Sequence, residues 1–339
     1  QDGNMLYYDK KEERFFAPTD LPRTAGGGLC FLGKKTDHTS KESIDSWEGI
    51  YEKKEASDEK AYLEQFWKFA AKEPELYVYH SHILNVVNSL GDGGVALEVG
   101  CGTASMALLL NHYHRVWCYG VDISNQAVSR ARERFSLVGE DPDLLSVADV
   151  TELPFADGAL NLVFGKTVFE HFEEPELAAA EIARVLAPGG HLVLDVPNKR
   201  NSYWTFASER ARGHTHTTLA YTAEEFSDFF LREGFEVCST WGDGLMYTTP
   251  YILYKSLFKE KGNREIDGKE IGKKVGFGKR MEGGVTQGKW GVPLSLFDST
   301  FKKSLRIFNR MANRWGWANS RTGVLVGIVA RKKIPGEEI

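Results

Sequence analysis

The chain has 339 residues, 42% hydrophobic and 26% charged, with 42 Lys/Arg against 47 Asp/Glu for a formal charge of −5. These are ordinary globular values that leave room for a sizeable core, and a charge this small names no partner. No run approaches the roughly 18 apolar residues of a membrane span, and four scattered cysteines (Cys30, Cys101, Cys118, Cys238) without a CxxC or Cys/His cluster argue against a zinc site or a disulfide framework.

A reduced, cytoplasmic setting is the default for such cysteine usage. The opening Gln1-Asp2-Gly3-Asn4 is neither basic nor apolar and is not expected to be a signal peptide. Residues 1–75 differ from the rest and are expected to form an extension or lid. Within them, residues 17–46 are rich in Pro, Gly, Thr and Ser and read as loop. Tyr62, Phe66 and Phe69 recur at helical spacing and predict a helix over 58–71, ended by Pro74. Leu76 to Leu90 resumes the pattern, and Gly91-Asp92-Gly93-Gly94 closes it.

From Val95 strands and helices alternate. Val95 to Val99 is an apolar run that stops at Gly100 and Gly102, followed by the helix-forming Ala104 to Leu110. Val116 to Val121 is a second strand. Asn125 to Val138 is a helix with Ala127, Ala131 and Phe135 on one face and an arginine-rich outer face. Leu144 to Ala148 and Leu160 to Phe164 are the third and fourth strands. Pro175 to Leu186 is a helix that the turn Ala187-Pro188-Gly189-Gly190 follows, and His191 to Val196 is the fifth strand. Thr222 and Glu225 form a capping box for a helix that Gly234 stops. Phe235 to Trp241 and Gly323 to Ala330 are the last two strands. This alternation implies a mostly parallel sheet with helices on both faces.

Residues 242–322 are too long for an ordinary connection and read as an insert with its own function, expected to cap the substrate. Phe301, Leu305, Phe308 and Trp315 predict an amphipathic helix over 301–317. The insert has 16 Lys/Arg against 7 Asp/Glu, a net of +9, which leaves −14 on the rest of the chain. The core is then 76–241 together with 323–334.

The strand, glycine turn and helix around Gly100 and Gly102 form a nucleotide-site element. A dinucleotide fingerprint needs a third glycine where Ser105 stands. Glu98, at the strand end, suits a cationic amino acid better than a pyrophosphate. Asp122 lies about 20 residues on, where a carboxylate bonds a ribose. A ribose-bearing ligand with a cationic amino-acid tail and no phosphate is S-adenosylmethionine.

Five motifs, in order, resemble the core of class I SAM-dependent methyltransferases, in the small-molecule, type 11-like group. They are Leu97 to Thr103, Tyr119 to Ser124, Ala148 to Phe155, Leu160 to Phe164 with Phe169-Glu170-His171-Phe172, and Arg184 to Gly190. The resemblance implies a Rossmann-like α/β fold with a seven-stranded mixed sheet in order 3-2-1-4-5-7-6, the seventh strand antiparallel. It covers neither residues 1–40 nor 242–322.

On that reading Gly100, Cys101 and Gly102 line the methionine part, and Glu98 holds its amino end. Asp122 takes the ribose hydroxyls, Ile123 packs on adenine, and Asp149 and Val150 bind the adenine edge. Lys166 stands where the fourth strand opens onto the methyl group, and Tyr51, with Trp47, lids the cofactor. His171, His214 and His216 are candidate bases, against the alternative of plain loop histidines. No metal is called for, since His214 and His216 lack a third ligand. The acceptor is expected to be a small molecule, methylated on O or N. The basic insert favours an anionic, glycan- or lipid-linked one and leaves peripheral membrane contact open. Nucleic acid is disfavoured, with no RNA-binding module and no Asn-Pro-Pro-Tyr signature. Two rivals stand beside this reading: an inactive SAM-binding regulator and an NAD-dependent oxidoreductase.

Overall fold

The computed structural model describes residues 7–9, 14–16, 29–30, 78–90, 93–114, 116–201, 219–243, 307, 311 and 319–337. The elements in chain order are β1 (Tyr7–Asp9), β2 (Arg14–Phe16), β3 (Leu29–Cys30), α1 (Val78–Leu90), β4 (Gly94–Val99), α2 (Ser105–Tyr113), β5 (Val116–Asp122), α3 (Asn125–Val138), β6 (Leu145–Val147), β7 (Leu160–Lys166), α4 (Pro175–Val185), β8 (Leu186–Pro197), α5 (Ala223–Arg232), β9 (Phe235–Asp243) and β10 (Leu325–Lys332).

One sheet runs β3-β6-β5-β4-β7-β8-β10-β9. Its last seven strands follow the expected order 3-2-1-4-5-7-6. β10 pairs antiparallel with both β8 and β9, while the other pairs are parallel. Every residue of β4 is buried, as a parallel strand covered on both faces requires. The core is one continuous cluster that runs from Tyr79 and Ile83 of α1 through β4, β5, β7 and β8 to β10.

Local signals explain most elements. Ser124 caps α3 by accepting from the Ala127 N–H, and Gly139 ends it at φ 82°. Thr222 and Glu225 exchange both bonds of the capping box. Gly327 of β10 lies under the Trp241 ring, where a Cβ would come within 2.1 Å of the indole. His82 of α1 stacks on Trp241, 4.3 Å between centroids.

Four expectations are corrected. First, β3 joins the sheet edge beside β6, inside a stretch read as loop, because Leu29 and Cys30 pair with Ser146 and Val147. A short hairpin of β1 and β2 was likewise not read. Second, β8 starts at Leu186 and runs through the Ala187–Gly190 turn. Leu160 pairs with Leu186 and Leu162 with His191, so the turn is a bulge within the strand. Third, β7 and β9 run two residues further than read, to Lys166 and Asp243. Fourth, one of the arginines of α3, Arg134, leaves the arginine-rich outer face and is buried, while Arg130 and Arg132 stay partly exposed.

The two ends of the long connection meet. Val324 N–H donates to the Asp243 carbonyl at 2.8 Å. A Cβ on Gly323 would lie 2.7 Å from Gly242 Cα, and one on Gly242 would lie 1.9 Å from the Asn319 carbonyl oxygen. Asn198, at the end of β8, donates to the carbonyls of Ser320 and Gly323, 2.9 Å each. Within the expected 301–317 helix, Ile307 and Met311 have helical backbone. The helix expected over 58–71 lies outside the described residues.

Candidate functional site

The turn after β4 is built on positive φ. Gly100, Gly102 and Ala104 have φ of 59°, 53° and 51°. Gly100 must be glycine for space as well, since a Cβ would sit 2.3 Å from Val168 Cγ2. Ala104 is the unusual member, a residue with a Cβ held left-handed. The turn is tied on both sides: Cys101 N–H donates to the Val121 carbonyl at 2.9 Å, and Ala104 N–H to the Cys101 carbonyl at 2.7 Å.

Asp122, at the end of β5, holds the same turn. Its Oδ2 accepts from the Gly102 N–H at 2.7 Å and its Oδ1 from the Ser124 N–H at 2.9 Å. Glu98, at the end of β4, is only 8% exposed. Its Oε2 accepts from the Ala107 N–H at 2.8 Å. That N–H lies in the first turn of α2, whose N-cap Ala104 has no side-chain acceptor, so Glu98 does the capping. Burial pushes its carboxyl up to about 8, opposed by the Ala107 bond and by Arg134. Asp149 follows β6 and is buried, with Oδ1 accepting from the Thr151 N–H and hydroxyl at 2.9 and 2.8 Å. Ala148 N–H donates to the Asp122 carbonyl at 3.1 Å, which brings the two segments side by side.

Glu98, Asp122 and Asp149 thus stand at the carboxyl ends of three neighbouring strands, around the glycine turn, where this fold binds ligands. Cys101 and Val150 are buried and Ile123 is half-buried beside them. Burial raises the Cys101 thiol, with Asp122 and Glu98 adding to the rise, so it stays a neutral thiol.

On the other flank, Lys166 ends β7. Its Nζ lies 3.5 Å from Asp195 Oδ2 and 4.9 Å from the centre of the Tyr79 ring. Asp195 is fully buried in β8, and its Oδ1 accepts from the Thr167 N–H at 2.9 Å. Thr167 is the second residue with a Cβ at positive φ, 48°. Phe169 then plugs into Phe226, Phe229 and Phe230 of α5, fixing the lip of the crevice. His171 follows, half-buried, with Nε2 3.8 Å from Glu170 Oε1. His80 of α1 is another imidazole on this flank. Burial and Lys166 lower its pKa to about 3, which keeps it neutral and a weak base.

Glu98, Gly100, Cys101, Gly102, Asp122, Ile123, Asp149, Val150 and Lys166 therefore fall along one end of the sheet, with His171 beyond Lys166. Tyr51, Trp47, His214 and His216 lie outside the described residues. Among the described residues, no three His, Cys, Asp or Glu side chains gather as a metal site, and no helix is long and apolar enough to cross a membrane.

Three residues escaped the sequence reading. Arg134 reaches from α3 to the Thr103 carbonyl and the Ser105 hydroxyl, bracing the turn from behind. Tyr79 and Asp195 flank Lys166. A signal existed for Asp195, an acid inside an otherwise apolar strand. Tyr79 looks like packing in any helical wheel.

The donor set can be tested against the implied cofactor. Three acidic side chains, of which Glu98 ionises most readily with a cation beside it, and a backbone turn with no cation on their own strand ends suit a cationic, phosphate-free nucleoside, and S-adenosylmethionine fits. Residues 97–194 match the model of a family described as a methyltransferase domain. A phosphatidylethanolamine N-methyltransferase of Cereibacter sphaeroides is 33% identical over 133 residues, covering 39% of this chain and 64% of that one. A 27-O-demethylrifamycin SV methyltransferase of Amycolatopsis mediterranei is 31% identical over 103 residues, 30% and 38% of the two chains. A ubiquinone/menaquinone biosynthesis C-methyltransferase of Desulfotalea psychrophila is 33% identical over 126 residues, 36% and 50%. In each case the match spans less than two thirds of the relative.

Proposed function

Since residues 97–194 belong to the methyltransferase domain family, we propose that this chain transfers a methyl group from S-adenosylmethionine to a small-molecule acceptor. The row of Glu98, Asp122 and Asp149 around the Gly100–Gly102 turn carries the reading. When bound, the cofactor supplies a methyl group on a sulfonium, open to in-line attack.

The roles of the protein groups follow from their places. Gly100 and Gly102 let backbone approach the methionine part, and Cys101 lines it. Glu98 pairs with its amino end and Asp122 with the ribose hydroxyls. Ile123 packs on adenine, whose polar edge meets Asp149 and the Val150 N–H. Lys166 faces the reacting end. Positioning supplies much of the rate in such a displacement. His171, or His214 and His216, would take the proton from a hydroxyl or amine acceptor.

Residues 1–75 are assigned as a lid with Tyr51 over the cofactor, 76–241 and 323–334 as the cofactor-binding core, and 242–322 as a substrate cap. O- or N-methylation is favoured. The +9 charge of the cap supports an anionic, glycan- or lipid-linked acceptor, and a relative named for phosphatidylethanolamine is consistent with a lipid headgroup. Peripheral membrane contact and a cytoplasmic location go with this reading.

Calorimetry with S-adenosylmethionine, S-adenosylhomocysteine and NAD tests it. Binding of the first two is expected. NAD binding without them would overturn the proposal in favour of an oxidoreductase. Cofactor binding with no turnover of any headgroup, glycan or small-molecule acceptor would favour the inactive regulator.

A further inference from the structure

We infer that the Tyr79 hydroxyl and the Lys166 ammonium form an oxyanion subsite at the start of α1, taking a carboxylate or phosphate oxygen of a bound ligand. The inference rests on the methyltransferase reading and adds a ligand chemistry to its least specified flank.

Tyr79 is 1% exposed, yet its hydroxyl has no hydrogen-bond partner among the described residues. An unmade bond of this kind is destabilising, and phenylalanine would fill the same space without that cost. The hydroxyl keeps its proton and so can donate: burial, then Asp195 and Glu98, raise its pKa well above the usual phenol value. Lys166 lies over the face of the same ring, 4.9 Å from its centre, and its side chain is 38% exposed. Asp195 holds that ammonium from the buried side at 3.5 Å.

The surroundings suit an anion. The first turn of α1 contains no acidic residue, and its N-terminal end adds partial positive charge. Two carboxyl groups act on the hydroxyl electrostatically. Asp195 is balanced by Lys166 and the Thr167 N–H. Glu98, raised to about 8, is largely uncharged at neutral pH. The Tyr79 hydroxyl and the Lys166 ammonium are thus two donors on one flank of the site.

That oxyanion comes either from the amino-acid tail of the cofactor or from the methyl acceptor. Three probes separate these sources: S-adenosylhomocysteine, 5′-methylthioadenosine, which lacks the amino-acid tail, and inorganic phosphate. Each is titrated by calorimetry into wild type, Tyr79→Phe and Lys166→Met, phosphate both with and without S-adenosylhomocysteine. A loss of about tenfold or more in S-adenosylhomocysteine affinity, with 5′-methylthioadenosine unchanged, supports the cofactor carboxylate. Unchanged S-adenosylhomocysteine affinity with phosphate weakened about tenfold supports an anionic acceptor. If neither affinity moves in either variant, the inference is overturned. Tyr79→Phe is expected to melt no lower than wild type, so a lowered Tm with unchanged affinities shows a purely structural tyrosine and overturns it as well. Wild-type protein that binds no S-adenosylhomocysteine sinks the donor assignment instead, and the phosphate titration still decides the subsite.

Discussion

The Asp122 carboxylate accepts from the Gly102 N–H at 2.7 Å, so the end of one strand fixes the turn that leaves its neighbour. The same group takes the Ser124 N–H. Asp122→Ala should therefore have two effects. S-adenosylhomocysteine affinity should fall at least about tenfold through loss of the proposed ribose contact, and stability should fall by about 1–3 kcal/mol through two stranded N–H groups. Calorimetry and thermal melting read these separately. An unchanged affinity would remove Asp122 from the ribose site.

The proposed pairing of Glu98 with the cofactor predicts binding that depends on pH. Its carboxyl is raised to about 8, and a cationic amino group beside it favours the ionised form. Binding below that pH should release a proton, and affinity should rise with pH and level off above about 8. Calorimetry in buffers of different ionisation heat counts the proton, and Glu98→Gln should abolish the release. Stability has the opposite slope. A carboxyl raised on folding contributes fully below its ordinary value of 4.5, and the contribution is lost as pH climbs through about 8. The Tm of Glu98→Gln should therefore fall less than that of wild type between those limits.

Gly100→Ala should fail for two separable reasons. The new Cβ meets Val168 at 2.3 Å, and φ of 59° is strained for any side chain. Stability should drop by about 1–3 kcal/mol, with cofactor binding lost. Adding Val168→Ala should recover part of the stability, because it clears the clash and leaves the strain. No recovery at all would mean that the backbone conformation alone sets the requirement.

Gly242→Ala should be among the most damaging single changes, since its Cβ would lie 1.9 Å from the Asn319 carbonyl oxygen. A loss of about 3 kcal/mol or more is expected by chemical denaturation, against roughly 1–3 kcal/mol for Gly323→Ala. Equal, small losses would show that the junction relaxes freely.

The sequence was most legible where local signals agreed. Ala127, Ala131 and Phe135 define α3 to the residue, with Ser124 before it and Gly139 after. The Thr222–Glu225 box starts α5 where expected. The acids around the turn were legible because strand ends can be read from apolar runs. What escaped depended on partners far along the chain. Leu29 and Cys30 are too few to show alternation, and only β6 makes them a strand. Arg134 sits next to the apolar stripe of its helix, and its burial is explained by the Thr103 carbonyl and Ser105 hydroxyl, about 30 residues earlier. Tyr79 gains its interest from Lys166 and Asp195, which arrive on two other elements.

The junction at Asp243 and Val324 has a consequence for how such a protein could change over time. The chain departs from the sheet at Asp243 and rejoins it at Val324, whose N–H donates back to the Asp243 carbonyl. The closure entropy of a flexible loop grows only logarithmically with its length. Length added between residues 244 and 318 therefore costs the strands beneath little, provided that residues 319–323 keep their seat on Gly242 and Asn198. A lineage could lengthen, trim or exchange that stretch and keep Glu98, Asp122 and Asp149 in register several strands away. The methyl donor would stay fixed while the recipient drifted.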